Sequence, residues 1–310
     1  MKLVVTIPAH NEEETLPRVI HDLPRKIPGI ATIELLVIDD GSTDGTVAAA
    51  KREGASIIQN PMQRGLATTF KLGLQEALKR KADIIVNIDA DLQYDPKELP
   101  RLIQPILEGK ADIVSGDRQV RNLNHMRFGN KYGNRIGTAV LSFLVGKKIK
   151  DASSGFRAYS REAALKLNIF AKHTYVHEAL IEAFHKNLRL VEIPVTFMER
   201  KGKSRLITSL FSHIKKSLET IFLTILKYKS LKIFFMFGTI SLFLSVFVGA
   251  RFLYYYLTGI GTGHIQSLVL AAILSIVGFQ FIIMGMQSNL INANRELEEE
   301  ILYRLKQHES

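Results

Sequence analysis

Two long uncharged segments near the carboxyl terminus constrain the fold of this chain more than any other feature. Residues 233–250, IFFMFGTISLFLSVFVGA, carry no charge over 18 positions, and the apolar run resumes after Arg251 as FLYYYL. Residues 265–291 form a second uncharged stretch after the short turn TGIGTGH. A helix that crosses the hydrocarbon core needs about 20 apolar residues, and buried helices of soluble domains are rarely so long and uniformly apolar. The sequence therefore predicts two transmembrane helices, at about 232–257 and 265–288.

The charges that flank these segments predict their orientation. Lys227, Lys229 and Lys232 precede the first span, Arg295 and Arg304 follow the second, and the connecting turn has neither Lys nor Arg. Since the cytoplasmic flanks of membrane spans are enriched in Lys and Arg, we expect both termini and the amino-terminal domain on the cytoplasmic side of a protein that crosses the membrane twice.

A basic block lies directly before the first span. The chain has 41 Lys and Arg against 30 Asp and Glu, and residues 200–232 alone contain nine basic residues and one acid. Such a block can bind nucleic acid, an anionic membrane surface or a phosphorylated substrate. Residues 204–230 combine helical apolar spacing with lysines on the other face, which favours a helix in the membrane interface over the core helix of a soluble domain. We therefore expect a membrane partner and no nucleic acid.

The two ends of the chain carry weaker signals. Residues 292–310 have a short amphipathic pattern that predicts a cytoplasmic tail helix, suited to docking or to homo-oligomer formation. The first residues, MKLVVTIPAHN, are typical of a strand that enters a polar turn, so we expect no signal peptide. The absence of cysteine excludes disulfides and thiolate metal sites.

Before the basic block, short β-type runs alternate with helical patterns. The runs are KLVVTIPA, IELLVIDD, ASIIQN, ADIIVNIDAD and ADIVSGDR, and helices are predicted at about 12–24, 44–53, 65–80 and 96–109. This alternation predicts a doubly wound α/β domain with a mostly parallel sheet. Ligands of such sheets bind outside the carboxyl ends of the strands, where the motifs PAHNE, DDGS, DAD and GDR fall. The coincidence predicts a binding site at that edge.

The segment NIDADLQYDP contains the strongest candidate for metal binding. Asp89 and Asp91 follow an apolar strand and would repel each other without compensation by a cation or hydrogen bonds. A hard divalent cation prefers oxygen ligands, so these carboxylates and the amide oxygen of Gln93 suit Mg²⁺ or Mn²⁺ bridging a diphosphate. A D-x-D pair is common by chance, but its position between a strand end and the next helix, which starts at YDPKEL, favours the functional interpretation.

The other strand-end motifs each have a structural explanation when taken singly. Asn11 and Glu12 can cap a helix, and Asp39 and Asp40 precede a Gly-Ser-Thr-Asp-Gly turn between a strand and a helix. Arg64 lies near the start of a helix, where an anion can bind. Their common position at one edge of one sheet favours a shared binding site.

The order of these motifs resembles that of the family 2 glycosyltransferases. The matching patterns are P-A-x-N-E, D-D-G-S-x-D-x-T, N-x-x-x-x-G, D-A-D-L-Q, G-x-R, S-G-F-R and R-x-G-K-S, and they cover residues 1 to about 205. More closely, the chain resembles the polyprenyl-phosphate branch of that family: dolichol-phosphate mannose synthases and bacterial undecaprenyl-phosphate glycosyltransferases.

The resemblance implies a domain order. A GT-A fold, meaning a Rossmann-like α/β catalytic domain with a mostly parallel sheet, would occupy residues 1–203. Amphipathic juxtamembrane helices would follow at 204–230, the two transmembrane helices within 231–291 and the cytoplasmic tail helix at 292–310.

On the donor side the resemblance assigns roles to individual residues. Asp89, Asp91 and Gln93 would bind Mg²⁺ or Mn²⁺, and Asp89, Asp91 and Arg118 would be the catalytic residues. The remaining donor residues would contact the nucleotide sugar: Pro8, Ala9, Asn11, Glu12, Asp39, Asp40, Arg64, Ala90, Arg200 and Lys203.

On the acceptor side the resemblance implies a polyprenyl phosphate. The family uses a basic residue and a hydroxyl one turn apart; here Arg127 matches the first and Lys131 replaces the second. Arg118 would lie beside both the diphosphate and the acceptor phosphate. A phosphate monoester has a second pKa of about 6 and is largely dianionic at neutral pH, so this nucleophile needs no strong general base. Asp151 and Glu178 are weaker candidates for acceptor-side roles. In-line displacement predicts inversion at the anomeric carbon.

The expected activity is transfer of a hexose from a nucleotide sugar, of the GDP-mannose or UDP-glucose type, to a dolichyl or undecaprenyl phosphate. One alternative is a processive polysaccharide synthase, which would normally show a Q-x-x-R-W motif and more spans, whereas this chain has no Trp. The other is a non-catalytic, membrane-anchored subunit that binds nucleotide sugars, which would not need Asp89, Asp91 and Gln93 together.

Overall fold

The structure is a computed structural model whose described residues form two compact units. The first unit comprises Met1–Ile221 together with Leu302–Ser310, and the second comprises Phe222–Ile301. The residues that the structure describes are 1–120, 123, 128–170, 175–199, 210–259 and 265–310.

The first unit is built on a seven-stranded sheet with the order β3-β2-β1-β4-β6-β5-β7. All neighbouring strands pair in parallel except β6, which is antiparallel to both β4 and β5. The strands have the following bounds: β1 Lys2–Ala9, β2 Thr32–Asp39, β3 Ser56–Gln59, β4 Ile84–Asn87, β5 Ile113–Asp117, β6 Arg157–Ser160 and β7 Leu190–Pro194.

Helices connect these strands and continue beyond them. The short helix Pro96–Glu98 precedes α4, and its first turn is capped by Asp95, whose side chain accepts a hydrogen bond from Lys97 N. The α-helices have the following bounds: α1 Leu16–Asp22, α2 Thr46–Arg52, α3 Leu66–Lys79, α4 Leu99–Leu107, α5 Phe128–Val145, α6 Arg161–Lys166, α7 Val176–His185, α8 Leu210–Leu257 and α9 Ile265–Glu309.

The sheet is covered on both faces because its central strands carry apolar side chains on both sides. Val5 and Ile7 face a core formed with α1 and α4, whereas Val4 and Ile38 face a second core formed with α3, α6 and α7. Nearly continuous apolar runs are typical of parallel strands buried between helices. The predicted α/β architecture with a mostly parallel sheet is confirmed.

Strands β6 and β7 were not among the predicted strands. Strand β6 has only four residues, RAYS, and begins with the buried Arg157, so it is too short and too polar at its start to give a periodic signal. Because β6 runs against its neighbours, the residues just before it lie at the edge where the parallel strands end. The antiparallel strand therefore brings the segment SSGF to the predicted site.

In the part of the chain that the structure describes, two helices are long and apolar enough to cross a membrane, judged by length and composition: Ser230–Leu257, which is part of α8, and α9. Within the second unit Ser241 Oγ donates to Leu274 O at 2.8 Å and Ser245 Oγ donates to Ala271 O at 2.7 Å. Helix α8 runs without a break from Leu210. Within the predicted amphipathic segment, the structure does not describe the residues before Leu210 or the side chains of 210–229.

Candidate active site

The loops that follow β1 and β2 are joined by hydrogen bonds between side chains and main chain. Asn11 Oδ1 accepts from Thr43 N at 2.8 Å, and Asn11 N donates to Ser42 Oγ at 2.9 Å. Glu12 N donates to Thr46 Oγ1 at 2.8 Å. The motifs PAHNE and DDGSTDGT, which are far apart in sequence, therefore form one crosslinked pair of loops.

Asp40 holds the loop that precedes α3. Its carboxylate is buried and accepts from Asn60 Nδ2 at 3.1 Å, from Arg64 N at 2.8 Å and from Gly65 N at 2.9 Å. Backbone N–H groups in a turn are otherwise left without acceptors, so the carboxylate stabilises this loop directly. The Arg64 side chain itself is exposed at the start of α3.

Other predicted donor residues lie at the same edge of the sheet. Pro8 pairs with Ile38 and Ala9 with Asp39 in the register of β1 and β2. Asp39 is buried, and its carboxylate accepts a hydrogen bond from Ser42 N in the following turn at 3.3 Å. Ala90 is buried beside them in the segment after β4. Arg200 and Lys203 lie outside the described residues.

The segment DADLQ leaves β4 in a tight turn. Asp89 and Asp91 are both half-buried, and Asp91 Oδ1 accepts from Gln93 N at 3.1 Å. Leu92, between Asp91 and Gln93, has a φ of 61°, a left-handed conformation that costs energy for any residue but glycine. Gln93 O accepts from Met198 N at 2.7 Å, which ties this turn to the segment after β7.

Strained backbone is concentrated at this edge. Asn11, Leu92 and Gln119, with φ values of 55°, 61° and 49°, follow β1, β4 and β5. They are three of the five non-glycine residues with positive φ among the described residues. Such conformations persist only where the surrounding structure enforces them, and they cluster at binding and catalytic sites.

Arg118 is held by a buried carboxylate at the end of β5. Asp151 accepts from Arg118 Nε at 2.6 Å and from Nη2 at 2.8 Å, and the guanidinium lies 5.1 Å from the ring centre of Phe197. The Arg118 side chain is only 11% exposed and that of Asp151 is fully buried. Burial alone would raise the pKa of Asp151, but the hydrogen bonds and charge of Arg118 lower it below its ordinary value. The pair is therefore ionised at neutral pH.

The same carboxylate is linked to α5 and β7. Asn134 Nδ2 on α5 donates to Asp151 Oδ1 at 3.1 Å, and Thr138 Oγ1, one turn later, accepts from Ala152 N at 3.2 Å. From β7, a carboxylate oxygen of Glu192 accepts from Asp151 N at 3.0 Å. Burial raises the pKa of Glu192. Asp151 thus joins the helix that carries the predicted acceptor residue Lys131 to the end of β5.

Arg157, the last residue of the S-G-F-R pattern, is a structural residue. It is completely buried, and its guanidinium donates to Ser115 Oγ at 3.1 Å, Val176 O at 2.8 Å and Ala152 O at 3.1 Å. A buried charge is tolerated when its donors are all directed at acceptors. Arg157 therefore holds β5, the start of α7 and the segment before β6 together.

A divalent cation fits the oxygen donors of the DADLQ turn. Among the described residues no group of three or more His, Cys, Asp and Glu is placed to hold a metal ion. A cation at Asp89 and Asp91 would take its remaining ligands from an amide oxygen, water and substrate phosphates, which is the coordination that Mg²⁺ prefers. The donor set therefore suits a divalent cation whose other ligands are water and, when the donor is bound, its diphosphate.

Sequence comparison decides the family of this chain. The sequence profile described as "Glycosyl transferase family 2" matches residues 4–167. The chain belongs to this family. This family 2 glycosyltransferase is therefore an enzyme that transfers sugars.

Two relatives and one solved structure extend the comparison. The chain is 30% identical to the polyprenol monophosphomannose synthase of Mycolicibacterium smegmatis over 212 residues. This alignment covers 64% of this chain and 78% of that protein. It is 31% identical over 205 residues to the dolichyl-phosphate hexose transferase of Haloferax volcanii, which is 66% of this chain and 86% of that protein. The structure of glucosyl-3-phosphoglycerate synthase from Mycobacterium tuberculosis with Mn²⁺ and UDP shares the fold, with a TM-score of 0.57, 24% identity and coverage of 73% and 78%.

Several residues of the site were not identified from sequence. Asp151 was only a weak candidate, and Asn134, Tyr94 and Gly155 had no assigned role. Their contacts join positions far apart in the chain, such as Gly155 N to Tyr94 Oη across 61 residues. Gly155 lies just before β6, whose four residues carry no periodic signal, so nothing local in the sequence placed it at this edge. The predicted acceptor residue Arg127 lies outside the described residues, and Lys131 is half-buried on α5.

Proposed function

We propose that this glycosyltransferase moves a hexose from a nucleotide sugar to a polyprenyl phosphate at the cytoplasmic face of a membrane. One observation carries the proposal: a single chain combines strand-end carboxylates and a nearly buried, ion-paired Arg118 at one edge of its sheet with two described helices long and apolar enough to span a membrane. A membrane-anchored transferase needs its acceptor in the bilayer. The names of the two relatives, which act on polyprenol and dolichyl phosphates, support a lipid acceptor.

On the donor side, the carboxylates after β4 act together. Asp89, Asp91 and Gln93 would hold Mg²⁺ or Mn²⁺, whose chemistry when bound is to neutralise charge on the departing diphosphate. Asp39 and the loops joined by Asn11 would contact the nucleoside. Asp40 would act through the loop that it holds rather than by touching the donor.

On the acceptor side, Arg118 binds the attacking phosphate. Asp151 uses Nε and Nη2 of the guanidinium and thereby fixes its plane. A fixed, permanently charged guanidinium suits a phosphate better than a mobile lysine does. Lys131 would add positive charge on the helix that Asp151 links to Arg118 through Asn134. Arg127, which precedes that helix in the sequence, would add to this charge.

The reaction is an in-line displacement at the anomeric carbon. An oxygen of the lipid phosphate forms the new bond to that carbon, while the bond to the nucleoside diphosphate oxygen breaks and its electron pair leaves with the nucleotide. No proton has to be removed from a phosphate dianion. The product is an inverted, β-linked sugar phosphate when the donor is α-linked.

Contacts of the tail support a topology with an even number of crossings. Tyr303 Oη donates to Glu162 at 3.1 Å, and Lys306 Nζ donates to Leu167 O at 2.9 Å and to Asn168 Oδ1 at 2.8 Å. Because the tail packs on the catalytic domain, both must lie on one side of any membrane that the intervening chain crosses. Two crossings satisfy this condition, and the basic flanks favour the cytoplasmic side.

A donor panel tests the activity. The purified protein in phospholipid vesicles is incubated with undecaprenyl or dolichyl phosphate and with radiolabelled GDP-mannose, UDP-glucose and UDP-galactose in separate reactions. We expect one donor to label the organic phase, only when polyprenyl phosphate and a divalent cation are present. Label in a water-soluble polymer would identify a polysaccharide synthase instead, and no labelled lipid with any of the donors would contradict the proposal.

The absence of cysteine allows a clean test of topology. Thr262→Cys lies in the connecting turn, and Glu309→Cys lies in the tail. In intact cells a membrane-impermeant maleimide should label the first variant, and it should label the second only after lysis. Labelling of Glu309→Cys in intact cells would show that the tail is outside and contradict the cytoplasmic placement of the termini.

A further inference from the structure

Gly155 lies directly against the carboxylate of Asp89. A Cβ atom added to Gly155 would overlap Asp89 Oδ2 and would lie 3.1 Å from both Cγ and Oδ1 of the same side chain. Side-chain carbons essentially never approach a neighbour as closely as this overlap requires. No side chain therefore fits at position 155 while Asp89 keeps its position.

Gly155 is required for space and not for its backbone conformation. Glycines such as Gly41 and Gly65, with φ values of 71° and 90°, have a left-handed backbone that other residues rarely adopt. Gly155 is not among the glycines with positive φ, so an alanine can adopt its backbone without strain. Gly155→Ala thus changes the space next to Asp89 and leaves the path of the main chain unstrained.

Two buried side chains hold the peptide groups of Gly155. Its N–H donates to Tyr94 Oη at 2.9 Å, and its carbonyl accepts from Asn87 Nδ2 at 3.0 Å. Asn87 also donates to Tyr175 Oη at 2.9 Å. Burial raises the pKa of Tyr94 to about 12, so its hydroxyl remains neutral at physiological pH.

Asn87 and Tyr94, the two side chains that hold Gly155, are themselves fixed by their neighbours. Asn87 is the last residue of β4, in the middle of the sheet, and the Tyr94 ring contacts Phe156 and Phe197 with ring centres 5.5 and 5.2 Å apart. Close-packed interiors transmit displacements rather than absorb them. The surface that Gly155 presents to Asp89 is therefore rigid.

We propose that Gly155 is a positioning residue for the carboxylate of Asp89, and that Tyr94 and Asn87 act through Gly155. The inference rests on the proposed function, in which Asp89 is a metal ligand. A ligand restrained on one side loses less freedom when a cation binds, and partners that orient metal ligands typically contribute about 10- to 100-fold to metal affinity.

Binding of Mn²⁺ without substrate tests the proposal. The free aqueous ion is measured by electron paramagnetic resonance during titration of the purified full-length protein with MnCl₂. We expect Gly155→Ala to raise the Kd for Mn²⁺ by about 10- to 100-fold and Tyr94→Phe to raise it by a smaller factor. Gly137→Ala is the matched control, because a Cβ at Gly137 meets nothing within 4 Å. Thermal unfolding of each variant, followed by circular dichroism, reports on the fold independently.

The outcomes separate this inference from the proposed function. If Asp89→Asn and Gly155→Ala both bind Mn²⁺ weakly while Gly137→Ala binds it normally, the inference is supported. If Asp89→Asn binds weakly but Gly155→Ala binds as the wild type does, the inference is wrong and the metal role of Asp89 stands. If the wild type and Asp89→Asn bind equally, the metal role is wrong and the inference falls with it. A Gly155→Ala protein that has lost its cooperative unfolding would show a general structural role and also overturn the inference.

Discussion

Asp40 and Asp89 both follow a strand of the same sheet at the same edge, yet their surroundings differ. The carboxylate of Asp40 accepts hydrogen bonds from the N–H groups of Arg64 and Gly65 and from an amide side chain. Asp89 instead packs against the Cα of Gly155 and lies near enough to Arg118 to help raise the pKa of that side chain against the effect of burial.

The comparison shows that the two sides of this edge of the sheet hold their polar side chains in different ways. On the side of β1, β2 and β3, polar side chains form hydrogen bonds that hold the neighbouring loops together. On the side of β4, β5 and β6, charged groups from distant parts of the chain are brought together and restrained by neighbours. We therefore expect Asp40 to act through the stability of its loop, and Asp89 to act in the reaction.

The largest effect on the rate of sugar transfer is expected from a substitution at Asp89. Asp89→Asn keeps the shape of the side chain and removes the charge that a diphosphate-bound cation needs, so we expect kcat to fall by about 100- to 1,000-fold with little change in the unfolding temperature. Initial rates of lipid labelling at saturating donor and metal measure it. Asp95→Asn, which retains the helix cap four residues after Asp91, should transfer sugar at the wild-type rate. An active Asp89→Asn enzyme would remove the distinction between the two sides.

The second-largest effect, on the free energy of unfolding, is expected from a substitution at Asp151. Asp151→Asn leaves the buried Arg118 without its counter-charge, and breaking a buried pair in this way costs about 3–5 kcal/mol of unfolding free energy. Asp112 offers a matched control, because Arg189 binds it with the same two side-chain nitrogens at 3.0 and 2.8 Å but is 57% exposed. Asp112→Asn should cost less than about 1 kcal/mol. Equal losses in chemical denaturation would show that burial does not matter here.

The pH dependence of the same pair has a definite sign. Because the folded-state pKa of Asp151 is lowered below 3.8, the pair stabilises the fold fully above about pH 5, and the contribution is lost as the pH falls through the folded-state value. The difference in stability between wild type and Asp151→Asn should therefore be constant from about pH 5 to 8 and shrink only in stronger acid. A difference that disappears near neutral pH would contradict the assigned ionisation.

A smaller effect is expected at Asp40. Asp40→Asn places an amide where one of the acceptors for the loop N–H groups stood, and an unsatisfied buried donor costs about 1–3 kcal/mol. We expect a lower unfolding temperature and a moderate rise in the KM for the nucleotide sugar, with kcat nearly unchanged. A fall in kcat as large as that of Asp89→Asn would show that Asp40 acts in the reaction, which would erase the contrast between the two sides of the edge.

Much of the fold could be predicted because its signals are local. The alternation of apolar strands and helices, and the polar motifs at their ends, lie within windows of ten to fifteen residues. The first five strands were therefore predicted close to their observed bounds, with KLVVTIPA matching β1, Lys2–Ala9. Strand β6 was not predicted because pairing with β4 and β5, rather than its own four residues, makes it a strand.

The candidate site was also predictable only where its signals are local. The DAD turn stands out in sequence because two like charges follow an apolar strand, and the motif order then points to the family. The partners of those charges do not stand out. Asp151 is 33 residues from Arg118, and Tyr94 is 61 residues from Gly155, so neither contact has a local signal.

The sequence by itself determined the class of this protein: an α/β transferase domain with strand-end carboxylates, followed by segments apolar enough for a membrane. These properties follow from hydrophobic periodicity and local charge, which do not depend on distant residues. Only the tertiary structure decided which carboxylate supports a loop and which is restrained next to the site. The physical reason is that hydrogen bonds and close contacts act over a few ångströms, and the fold alone determines which distant residues come within that range.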